Sequence, residues 1–87
     1  MAMHSHDFVE NFEGFMGFGL DRQSDEETLQ VYLQKFSDDL LMKTILKRMT
    51  NEDLAELFDI VSKMLKLYLT EPEYHQLFLK DEDKQNY

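Results

Sequence analysis

The stretch Asn51–Leu69, NEDLAELFDIVSKMLKLYL, constrains the fold more than any other part of the chain. At about 100° per residue, Leu54, Leu57, Phe58, Val61, Leu65 and Tyr68 share one helix face, and Ile60, Met64 and Leu67 widen it on one side. The apolar arc then covers roughly 220–240°, against about 100° for an ordinary surface helix. Only a strip with Glu56, Asp59, Lys63 and Lys66 is left for water. Thr50 is placed to cap the first turn, with Asp53 as its partner three residues on. A helix this apolar needs neighbours on two sides. Either the other helices of the chain wrap it, as in small bundles, or a second copy does. Ile60 and Leu67 decide the matter: left bare, with no neighbouring segment and no second molecule over them, they contradict this expectation.

The rest of the chain limits the choices. Its 87 residues make one domain. A chain of this size buries only roughly 60–65% of its unfolded surface, so its stability depends on good packing or on association. It has no cysteine, which rules out disulfides and thiolate metal sites. No basic-then-apolar leader opens it, because the first Lys or Arg is Arg22. The longest apolar or glycine run, Gly14–Leu20, is well short of the ~18 residues that span a bilayer. A cytoplasmic protein is expected. Asp and Glu number 18 against 9 Lys and Arg, a net charge of −9. That balance repels nucleic acid and anionic membranes at long range, so neither is expected as a partner.

In chain order, residues 1–6 read as a flexible leader, 7–79 as one helical domain and 80–87 as a polar tail. The leader holds His4 and His6. With Met1 removed, Ala2-Met3-His4 offers an amine, two amides and an imidazole to Cu(II) or Ni(II), and His4, His6 and Glu10 are an alternative set. Terminal histidines are ordinarily solvated, and no resident metal and no cofactor is expected. Phe8, Phe12, Phe15 and Met16 recur at helical spacing, predicting a short helix over about 7–16 that Gly17 closes in a left-handed cap. EGFMGFGLD holds all three glycines, interleaved with Phe15, Met16 and Phe18. It is either an apolar plug on the bundle or a docking segment. Its spacing does not fit a phosphate-cradling loop.

Ser24-Asp25-Glu26-Glu27 reads as a capping box opening a helix with Leu29, Tyr32, Leu33 and Phe36 on one face and Leu40 beyond. The phase then fails at Lys43, Thr44 and Lys47. Either the chain breaks near Ser37, with Asp38 and Asp39 in the first turn of a new helix, or one long helix faces two cores; the break is the favoured reading. Thr70-Glu71-Pro72-Glu73 opens a short last helix with Tyr74, Leu77 and Phe78 on its apolar side.

Catalytic signatures are missing. No serine stands in a G-x-S-x-G elbow. Glu71 and His75 are spaced as an acid–base pair, which is usually a surface contact. A helical di-iron site fails because Pro72 stands where a glutamate should precede His75. Leu40–Met49, Thr50 and the helix after it resemble helix-turn-helix spacing, but NEDLAELFD would repel phosphate. Lys43, Lys47, Arg48, Lys63 and Lys66 read as solvated face.

EGFMGFGLDRQSDEETLQVYLQKFSDDLL and LTEPEYHQLFLKDED resemble small acidic bacterial proteins known only as cytoplasmic and uncharacterised. The resemblance implies a bacterial cytosolic setting and brings no activity, cofactor or site residues.

These readings converge on an all-α fold: four to five short helices around a central helix over 51–69, monomeric or dimeric. The function expected is non-enzymatic protein–protein interaction, by self-association through an apolar face. The residues assigned to that face are Phe15, Phe18, Leu57, Ile60, Met64 and Leu67. The alternative is a small acidic regulator docking on a larger enzyme or kinase.

Overall fold

The protein, seen in a computed structural model, is described over residues 6–81. Within that range it is all-α, with no strand. The expected leader residues before His6, with His4 among them, and the tail after Asp81 lie outside the described residues. The domain divides into two compact units, Ser5–Arg48 and a second built on Met49–Tyr87.

The first unit holds α1 (Asp7–Asn11), α2 (Arg22–Phe36) and α3 (Asp39–Arg48). The first helix is shorter than the aromatic spacing predicts. Phe12 is already extended, at φ −75° and ψ 126°, so Phe15 and Met16 leave the helical row. The Phe8 and Phe12 rings still meet, with centroids 5.3 Å apart. The left-handed position is Gly19, at φ 94°, rather than Gly17.

The second helix starts earlier than the capping-box reading. Its cap is Asp21, whose carboxylate accepts the Ser24 N–H at 2.8 Å. Asp21 and Ser24 are equally good caps by type, and Arg22 and Gln23 are both strong helix formers, so the helix takes the earlier start. The expected break is present, with α2 ending at Phe36 and α3 starting at Asp39. Its cap is Asp38, which accepts the Leu41 N–H at 3.1 Å, rather than Ser37. Ser37 closes α2 instead, donating its hydroxyl to the Gln34 carbonyl at 2.8 Å.

The second unit is α4 (Asn51–Tyr68), α5 (Glu71–Glu73) and a π-helical turn, Tyr74–Leu79. Thr50 caps α4 as expected, accepting the Asp53 N–H at 3.0 Å. Thr70 and Glu73 form a complete capping box: Glu73 accepts the Thr70 N–H at 2.8 Å and Thr70 accepts the Glu73 N–H at 3.3 Å. Pro72 sits in the first turn, where its missing N–H costs nothing. The chain then widens into the π turn, and Lys80, left-handed at φ 56°, ends it. The Asp81 N–H returns to the His75 carbonyl at 3.1 Å, one residue wider than the usual six-to-one closure of an α-helix. The first two residues of the predicted tail are therefore held in place.

Candidate interaction surface

In the first unit, α2 receives the preceding chain along its polar side. Asp25, Thr28, Val31, Gln34 and Ser37 recur every third residue. Such a row winds obliquely around a helix, turning by about 60° per step. The earlier segment follows it in reverse order. Gly19 donates its N–H to Asp25 at 2.7 Å. Gly17 donates its N–H to Thr28 Oγ1 at 3.0 Å, and the Thr28 hydroxyl donates back to the Gly17 carbonyl at 3.2 Å. Val9 donates its N–H to Gln34 at 2.9 Å, and His6 Nε2 meets the Ser37 hydroxyl at 2.7 Å.

This strap covers the deepest point of the unit. Val31 is 2% exposed and Thr28 5%, and they alone are buried among the described residues. A Cβ at Gly17 would lie 2.6 Å from the outer edge of the Phe15 ring, which is exposed and would have to swing aside. The predicted apolar row of α2 lies elsewhere. Leu29, Tyr32 and Leu33 are exposed, as is Leu40 in α3. Met16, Gly17 and Phe18 of the strap, with Thr28, Leu29 and Tyr32, enclose an open hollow of about 280 Å³.

In the second unit, the turn into α5 lies against one flank of α4. Ser62, Leu65, Lys66 and Leu69 line a cleft of about 400 Å³ with Thr70, Glu71 and Tyr74. Ile60, Met64 and Leu67 lie on the opposite flank of the apolar arc. They are 52%, 42% and 59% exposed, and no residue of α4 is buried. Leu57 is half-buried. At spacings of three and four, these four residues form one stripe. Phe15 and Phe18 are 68% and 70% exposed and belong to the first unit.

His75, in the second unit, lies between two carboxylates. His75 Nδ1 lies 3.0 Å from Asp81, and its Nε2 lies 3.8 Å from Glu71. The sequence spacing anticipates the Glu71 contact but not Asp81, which reaches His75 only because the π turn reverses the chain at Lys80. The two carboxylates sit at opposite ring nitrogens, so no single ion can touch all three groups, and no metal-binding cluster exists among the described residues. Tyr74 stacks on Phe78, with centroids 5.3 Å apart and planes at 16°. This constellation ties Asp81 to the turn that follows α5. No described helix is long and apolar enough to cross a membrane.

What the fold and surface define is an all-α protein with an open apolar helix face. No family model, curated protein or solved structure matches the chain.

Proposed function

We propose that the protein is a non-enzymatic helical interaction module that self-associates through the Leu57, Ile60, Met64 and Leu67 stripe of α4, with Phe15 and Phe18 as a second apolar contribution. The observation that carries this reading is the exposure of α4. Within its own unit, no neighbouring segment covers Ile60 and Leu67, which are more than half exposed on a helix whose arc is too broad for water. A second copy supplies the missing cover. Met64 suits such a contact, because an unbranched thioether adapts to an irregular partner surface. The setting we infer is the cytoplasm, on the acidic balance of 18 against 9 charges and the resemblance to small acidic cytoplasmic proteins.

The test is the double substitution Ile60→Asp and Leu67→Asp, followed by sedimentation velocity and circular dichroism. The expected result is a monomer with the helix content of the unaltered chain. Loss of helix content together with mass would identify the stripe as an internal core and reject the proposal.

A further inference from the structure

We infer that the second copy binds α4 antiparallel, centred on Ile60; this rests on the self-association proposed above and specifies its partner surface. The charge along α4 is divided. Glu52, Asp53, Glu56 and Asp59 occupy its first half, and Lys63 and Lys66 its second. All six are solvent-exposed. A parallel partner would set acid against acid and base against base. An antiparallel partner sets each acidic half against a basic half. The helix dipoles favour the same arrangement, since the positive start of one helix then meets the negative end of the other.

The register follows from the stripe. Asp53, Ile60 and Leu67 recur every seventh residue, which is nearly two turns, and so lie along one line of the helix. A twofold axis at Ile60 puts Ile60 against its own copy and Asp53 near Leu67 of the other. Glu56 and Lys63 flank Ile60 on the same edge, four residues before it and three after, so each meets the opposite charge across the contact. The flank bordered by α5 is left clear, because Ser62, Leu65, Lys66 and Leu69 face the cleft there.

The chain has no cysteine, so an introduced thiol is unique. Asp53→Cys and Leu67→Cys are prepared separately, then treated alone and as an equal mixture with a bis-maleimide of about 10 Å span, the distance between packed helix axes. In the antiparallel pair, two copies of the same thiol lie about 21 Å apart along the axis and out of reach. The mixture should give cross-linked dimer, and either variant alone essentially none. Lys63→Glu should weaken dimerisation about tenfold at low salt, and added salt should narrow the difference. Cross-linking of each variant with itself, or no cross-link in a chain that sediments as a dimer, overturns the antiparallel register and leaves self-association standing. A monomer in every sample overturns both.

Discussion

Asp21 is the most informative single residue for solution chemistry. The Ser24 backbone N–H, and then the Ser24 hydroxyl, hold its carboxyl below the ordinary aspartate range. A folded-state pKa below the unfolded one gives stability that is present above the unfolded value and lost as pH falls through the folded value. The start of α2 should therefore loosen as the pH falls below the ordinary aspartate range. The Ser24 amide shift, followed by NMR against pH, should report this titration. Asp21→Asn should abolish the pH dependence while keeping the helix start, because asparagine caps as well as aspartate. Thr28 offers a second residue-scale test. Thr28→Val keeps the shape but removes the partner of the half-buried Gly17 N–H and carbonyl, at a cost of about 1 kcal/mol. Faster amide exchange at Gly17, Gly19 and Val9 would report release of the strap, whereas unchanged exchange would show that the hydroxyl is not what holds it.

At the scale of elements, what is legible in the sequence is what is local. Thr50 with Asp53, and Thr70 with Glu73, are three residues apart, and both caps form where the spacing places them. Thr70→Ala should cost about 1 kcal/mol and speed amide exchange in the first turn of α5, with α4 unchanged. The break between α2 and α3 is legible as a loss of apolar phase, but its cap is off by one residue because Ser37 and Asp38 are both suitable. The start of α2 is misread for the same reason, since Asp21 and Ser24 each stand three residues before a usable partner. The strap is not legible at all. Gly17 and Thr28, or Val9 and Gln34, meet only after the chain has doubled back, and no local pattern marks the polar row of α2 as the packed side. The strong aromatic spacing of Phe8, Phe12, Phe15 and Met16 favours a longer helix, yet Gly17 and Gly19 make their hydrogen bonds to α2 from chain that has left the helix at Phe12. The π turn is equally hidden, because the Asp81 carboxylate that meets His75 lies beyond the last apolar residue of the helix.

At the scale of the whole molecule, each of the two units leaves apolar surface that it does not itself cover. Apolar residues make up 43% of the sequence, and Val31 is the single buried one among the described residues. The apolar arc of α4 is legible in the sequence at full width; which neighbour covers it is not, because a helical pattern records the need for cover and not its source. The proposed association through that face would make stability depend on protein concentration, so the melting temperature should rise as the chain is concentrated, and Ile60→Asp with Leu67→Asp should remove that rise. The most direct measurement is sedimentation equilibrium of the unaltered chain from low to high micromolar concentration. A mass climbing to twice that of the single chain is the predicted result. A mass that stays at one chain throughout the range would contradict self-association and leave the open face of α4 without its second copy.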